Sequence, residues 1–167
     1  MSDVRGGQPF VCSVRVYYED TDAAGVVYYA NYLKYAERGR TEALRSVGIE
    51  QREMAARDGV QFVVRRVTAD FRAPARLDDA LEVVTRTADI GGATLAMEQT
   101  IRRGDETLVT LSVDICAVAV GGVRAGRPVR LPAAVVERLA PFRTASIRPG
   151  GSATANISPQ TSRKKRV

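Results

Sequence analysis

Six tyrosines, at positions 17, 18, 28, 29, 32 and 35, share one nineteen-residue stretch with the carboxylates Glu19, Asp20 and Asp22, in a chain that has no histidine. The missing histidine removes Ser-His-Asp and Cys-His catalysis and every histidine-based zinc site. Cys12 and Cys116 lie too far apart for zinc-finger spacing and make no disulfide framework, so no metal or other cofactor is expected. Acid and base work then falls to Asp, Glu, Lys, Tyr or backbone groups. Asp20 and Asp22 stand in the turn Asp20-Thr21-Asp22-Ala23-Ala24-Gly25, after a strand-like run and before a helical one. Unpaired N–H groups and the helix dipole favour negative charge at such a point. Two roles follow: a carboxylate held ionised, and N–H donors for a developing oxyanion. An aspartate ahead of a helix is also an ordinary cap, and residue types alone leave both readings open.

The flanking elements must hold that turn in place. Residues 11–19 mix β-branched, aromatic and polar positions as a strand does. From Tyr29 to Val47 the period becomes helical, with Tyr29, Tyr32, Leu33, Ala36, Ala43, Leu44 and Val47 on one broad face and Gly48 ending the run. Gly39 costs that helix about 1 kcal/mol against alanine, tolerable where the helix lies close on another element. A short helix is expected over 50–57, and a strand over 61–73 with Val63, Val67, Ala69 and Phe71 on one face, Arg65 a mismatch, and Pro74 the end. Alternation resumes at Leu81-Val83-Thr85, at Leu95-Met97-Ile101, and most clearly at Val109-Leu111-Val113-Ile115-Ala117. The intervening turns Gly91-Gly92 and Gly104-Asp105 imply antiparallel hairpins. With a last helix over 132–139, the order predicts an α+β fold, one long helix laid on one antiparallel sheet. The other sheet face, or an edge, then needs a partner. Phe62, Val64, Leu108, Cys116 and Val118 offer apolar surface there, and a homo-oligomer is expected.

The 167 residues suffice for one domain, and 45% apolar with 26% charged residues describes a packed soluble core. No apolar run approaches the roughly 20 residues of a membrane span, and no secretory leader is readable, so a cytoplasmic protein without an integral membrane segment is expected. Of the net charge of +6, five charges (Arg148, Arg163, Lys164, Lys165 and Arg166) fall in residues 144–167, which hold no acid. The expected organisation is a flexible N-terminus over 1–10, a domain over 11–143 and a disordered basic tail over 144–167. The closing Arg-Lys-Lys-Arg offers charge to RNA, acidic lipid or an acidic protein. A solvated tail is the simpler reading, and no nucleic-acid partner is expected.

Taken whole, Tyr17-Tyr18-Glu19-Asp20-Thr21-Asp22-Ala23-Ala24-Gly25-Val26-Val27-Tyr28-Tyr29-Ala30-Asn31-Tyr32 resembles the signature of the 4-hydroxybenzoyl-CoA thioesterase family of hotdog-fold enzymes. Glu37-Arg38-Gly39-Arg40-Thr41-Glu42, Phe62-Val63-Val64-Arg65 and Arg72-Ala73-Pro74-Ala75-Arg76-Leu77-Asp78-Asp79 are similar to its Tol–Pal-associated YbgC branch, and the resemblance spans about residues 11–140. It implies a sheet wrapped around a long helix, dimers paired through the sheets and often tetramers. It also implies hydrolysis of acyl-CoA thioesters at the dimer interface. Asp22 matches the family's acid, acting as nucleophile or as general base for water, and the backbone N–H of Tyr29 matches its oxyanion donor. Gly25, Val26, Val27, Tyr28, Asn31 and Tyr32, from the same motif, become the expected substrate-binding residues, although Asn31 also reads as structural. Thiolate leaves with little acid assistance, so a single carboxylate suffices without histidine.

Two departures stand out. Many members of the branch carry histidine at the position of Tyr29. Some relatives place basic residues against CoA phosphates at the hairpin matching Ile90-Gly91-Gly92-Ala93, which is neutral here; Arg65, Arg66, Arg102 and Arg103 are substitutes or simply solvated. Glu19, Asp20 and Glu37 are rival carboxylates, with Glu37 on a helix face that reads as exposed. The alternative to turnover is a hotdog protein that binds acyl-CoA or acyl carrier protein without hydrolysis; carrier-bound acyl groups are also conceivable substrates. Hotdog dehydratase chemistry relies on a histidine and is disfavoured.

Overall fold

The computed structural model describes residues 7–144. The expected tail, from residue 145 on, and most of the expected N-terminal arm lie outside the described residues. The elements are β1 (Phe10–Arg15), α1 (Tyr29–Ser46), α2 (Gln51–Asp58), β2 (Val60–Phe71), β3 (Ala80–Ile90), β4 (Thr94–Arg103), β5 (Glu106–Ala119) and α3 (Ala133–Leu139). The five strands form one sheet in the order β1-β3-β4-β5-β2, antiparallel throughout. The Gly91-Gly92 and Gly104-Asp105 turns close the two hairpins that their glycines implied. Among the described residues no helix is long and apolar enough to cross a membrane.

α1 packs chiefly on β1, β3 and β4. Leu81, Val83, Leu95, Met97, Ile101, Val109, Leu111 and Val113 form the buried sheet surface beneath it. Gly39 is where helix and sheet come closest: a Cβ there would stand 2.5 Å from Val83 Cγ1. Beside it the buried Gln99 donates to the Ala36 carbonyl at 2.8 Å and to the Thr85 hydroxyl at 2.9 Å, and accepts from Arg40 at 2.9 Å. These bonds satisfy polar groups that burial has cut off from water.

That contact rotates the helix from its expected face. The buried positions are Asn31, Tyr32, Tyr35, Ala36, Gly39, Arg40 and Leu44. Tyr29 and Leu33, expected inside, are 61% and 40% exposed. The first strand is also shorter than expected. It stops at Arg15, and Tyr18–Asp20 form a 3-10 turn instead of continuing the sheet.

β2 departs in phase. A bulge between Val64 and Arg66 absorbs Arg65, the residue that broke the alternation. The register therefore sets Phe62 and Val64 opposite Ala117 and Ile115, on the helix side with Val67, Ala69 and Phe71, and turns Val63 to the outer face. A second bulge at the β4–β5 pairing carries Leu108 into the core. The outer face is consequently not the apolar surface expected from Phe62, Val64 and Leu108. Cys116 and Val118 remain on that side and are buried, while Thr68, Asp70, Glu98, Thr100, Thr110 and Ser112 make the exposed part polar. Uncovered apolar groups lie on both sides of edge strand β2, with Val64, Val67 and Phe71 exposed on the helix side and Val63 on the outer face.

Candidate active site

Past β1 the chain is caught by the segment before β3, as Val16 N–H donates to the Asp79 carbonyl at 3.0 Å. Asp20 is buried at the end of the 3-10 turn. Its carboxylate accepts the Tyr17 N–H at 2.9 Å, and its carbonyl accepts the Tyr28 N–H at 2.9 Å and the Asn31 side-chain amide at 2.8 Å. Asp22, two residues on, is differently placed. Its N–H donates to the Val26 carbonyl at 2.9 Å, its own carbonyl accepts the Gly25 N–H at 2.9 Å, and Oδ1 accepts the Ala24 N–H at 2.8 Å. Thr21 pairs with Val27 across this small hairpin, and Gly25 supplies the left-handed backbone (φ +73°) that its turn requires. The Asp22 side chain is exposed, and its Oδ2 has no partner among the described residues.

The segment after β2 clamps the hairpin. Val27 N–H donates to the Ala75 carbonyl at 2.9 Å, Ala75 N–H donates to the Tyr32 hydroxyl at 2.8 Å, and Val26 bridges to Arg76. Asp79 locks that segment, accepting the Arg76 N–H at 2.8 Å and Arg103 at 2.5 Å. Burial alone raises the Asp79 pKa, but the Arg76 N–H and the Arg103 guanidinium outweigh it and hold the carboxyl below its ordinary value.

α1 begins at the mouth of the hairpin. Tyr28 caps it without a side-chain bond, and among the described residues the N–H groups of Tyr29 and Ala30 have no acceptor. These are the orphan donors of a helix start, and the hairpin that carries the exposed Asp22 carboxylate leads directly into it. Aromatic rings wall the opening: Tyr28 and Tyr29 lie 4.7 Å apart, and Phe71 of β2 meets Tyr29 and Tyr32 edge-on at 6.3 and 5.9 Å. Tyr35 is fully buried, its phenol pKa raised by burial first and then by the Asp20 carboxylate beside it. Its hydroxyl makes no hydrogen bond of ordinary geometry among the described residues.

Of the residues singled out in the sequence, Asp22, Gly25, Tyr28 and Tyr29 are exposed, Val26 is half-buried, and Val27, Asn31 and Tyr32 are buried. Among the rivals, Glu19 is exposed, Asp20 is enclosed, and Glu37 is exposed and accepts the Thr41 hydroxyl at 2.9 Å. Arg102 is paired with Glu82, and Arg103 with Asp79 and Glu106. Arg65 and Arg66 are exposed and carry no ion pair among the described residues. Phe71 and Ala75 were not singled out as site residues. Their sequence signal lay in the strand and in the Arg72–Asp79 motif, but only the folded contacts bring them to the opening. The chemistry available is a free carboxylate oxygen, unpaired backbone donors and an aromatic wall.

Comparison with known proteins identifies the family. The Thioesterase superfamily model matches residues 24–110, beginning just after Asp22. The acyl-CoA thioester hydrolase YbgC of Escherichia coli O157:H7 is 43% identical over 74% of this chain and 90% of its own. The acyl-CoA thioesterase YbgC of Haemophilus influenzae is 41% identical over 74% of this chain and 88% of its own. The crystal structure of a probable thioesterase from Bartonella henselae superposes with a TM-score of 0.70 at 40% identity, covering 74% of this chain and 99% of that one. The chain belongs to the Thioesterase superfamily, as an enzyme of the hotdog fold.

Proposed function

We propose that this enzyme hydrolyses acyl-CoA thioesters to a free acid and CoA, with Asp22 as the reacting carboxylate and the Tyr29 backbone N–H as oxyanion donor. The observation that carries the reading is the hairpin 21–27, which leaves Asp22 Oδ2 free and leads directly into a helix start with unpaired N–H groups. The similarity to two relatives named for acyl-CoA thioester hydrolysis supports the substrate class. As general base, Asp22 takes a proton from water while the water oxygen adds to the thioester carbonyl. As nucleophile, it adds directly and forms an anhydride that water then opens. Either way the carbonyl oxygen becomes an oxyanion, which the N–H group stabilises more than it does the neutral carbonyl. Collapse expels CoA as thiolate. Tyr28, Gly25 and Val26 are the expected motif residues accessible to an acyl group, joined by Tyr29 and Phe71. Val27, Asn31 and Tyr32 are buried and back these residues from within the fold.

The working unit of this reading is a homodimer formed through β2, or a homotetramer built from two such dimers. That strand ends the sheet with one side unpaired, and exposed Val64, Val67 and Phe71 give it the apolar surface a partner would cover. Turnover in the cytoplasm suits the two free cysteines, and an acyl chain on a carrier protein is the second substrate form to assay. The test is thiol release from a panel of acyl-CoAs by wild type and Asp22→Asn. Release that disappears in the variant supports the assignment; tight binding without release from any substrate replaces it with a non-hydrolytic binding protein.

A further inference from the structure

Three donors from two stretches of chain converge on Asp20. Tyr17, leaving β1, donates its N–H to the Asp20 carboxylate at 2.9 Å. Tyr28, the cap of α1, and Asn31, in its first turn, donate to the Asp20 carbonyl at 2.9 and 2.8 Å. Asp20 and Asn31 are 7% and 6% exposed, so they sit behind the opening and not in it. The bonds from Tyr28 and Asn31 close a ring that starts at Asp20, runs through the Asp22 hairpin and returns at the start of α1. The bond from Tyr17 anchors the ring to the sheet. The size of the ring sets how far the Asp22 carboxylate stands from the free N–H groups of Tyr29 and Ala30. A thioester carbonyl has to meet both at once, and a 1 Å error in such an arrangement costs about 100-fold in rate.

We propose that Asp20 and Asn31 are positioning residues, holding Asp22 in register with the N–H groups at the start of α1, and that Asp20 takes no part in proton or acyl transfer. The proposal rests on the assignment of Asp22 above. It gives the two carboxylates of Asp-Thr-Asp opposite duties: Asp20 bonds inward to the scaffold, while Asp22 keeps an oxygen for the reaction.

The test measures kcat, KM and the binding of a non-hydrolysable thioether analogue of acyl-CoA. Asp20→Ala is expected to lower kcat by about ten- to a hundred-fold with KM and analogue affinity nearly unchanged. Asp20→Asn keeps an oxygen where Tyr17 N–H needs it, so it should recover most of the lost kcat and keep the wild-type pH profile. Asp20→Ala removes only the anchor to Tyr17, whereas Asn31→Ala removes a bond of the ring itself and should lower kcat in the same way, which keeps the test alive if Asp20→Ala does not fold. A folded Asp20→Asn as inactive as Asp22→Asn would overturn the proposal, since Asp20 would then do chemistry. Unchanged kcat in both alanine variants would overturn it as well. A fully active Asp22→Asn would instead remove the underlying assignment, whatever the Asp20 variants do.

Discussion

Replacing Gly39 by alanine is expected to destabilise the enzyme, although alanine is the better helix former. The added Cβ would stand 2.5 Å from Val83 Cγ1 and 3.2 Å from both Val83 Cβ and Gln99 Nε2. Carbon atoms pack at about 3.5–4.0 Å, so roughly 1 Å has to be found. Val83 lies on a buried central strand and cannot step back, so α1 must lift from the sheet. Overpacking of this kind costs about 1–3 kcal/mol. Disturbing Gln99, whose amide holds the Ala36 carbonyl and the Thr85 hydroxyl, adds about 1–3 kcal/mol. Helix propensity returns about 1 kcal/mol. The net loss is about 3 kcal/mol, or roughly 10 °C in Tm for a chain of this size. Thermal and denaturant unfolding at fixed protein concentration measure it. The double variant with Val83→Ala relieves the contact, so its loss should fall short of the sum of the single losses by about 1–2 kcal/mol. A Gly39→Ala protein as stable as wild type, or losses that simply add, would refute the close approach of α1 to β3.

Tyr29→Pro deletes the proposed oxyanion donor at the first residue of α1, the one helical position that accepts proline readily. It should therefore fold normally and lose about 100- to 1000-fold in kcat, whereas Tyr29→Phe, which keeps the N–H, should stay within a few-fold; equal activity of the two would remove the backbone donor from the mechanism. Arg103→Gln should lower Tm at pH 7. Because the folded Asp79 pKa lies below its ordinary 3.8, the contribution is present above that value and is lost as pH falls through the folded one. The gap to wild type should accordingly close in acid, and a gap constant from pH 7 to pH 3 would contradict the ion pair's role. Val67→Glu, on the helix side of β2, should shift sedimentation toward monomer and reduce thiol release together; an unchanged oligomer would take β2 out of the proposed interface.

The antiparallel pairs were legible because period-2 alternation and glycine turns are local signals. So were the long helix and its end at Gly48. The buried face of α1 was not, because the burial of Arg40 depends on Gln99, fifty-nine residues away. The phase of β2 was misread for a related reason. A bulge adds one residue to the count, and Arg65 showed that something was wrong without showing which side of it had slipped. The motif from Tyr17 to Tyr32 contains the turn and the helix start that the fold forms there. The resemblance pointed to Asp22 as the acid, but residue types alone could not separate it from Asp20, a like residue in the same turn. Their difference arises when α1 docks, because Tyr28 and Asn31 then claim the Asp20 carbonyl while Asp22 turns outward. Phe71 and Ala75 join the opening only through tertiary contacts with Tyr29, Tyr32 and Val27.

The exposed Asp22 carboxylate is the group proposed to perform thioester hydrolysis. The most direct test is dye-detected thiol release from acyl-CoAs ranging from acetyl to palmitoyl and benzoyl, run with wild type and Asp22→Asn side by side after circular dichroism has shown both folded. Release is expected to peak within one class of acyl group in wild type and to fall to background in Asp22→Asn. Release by Asp22→Asn at the wild-type rate would contradict that assignment and move the chemistry to another carboxylate.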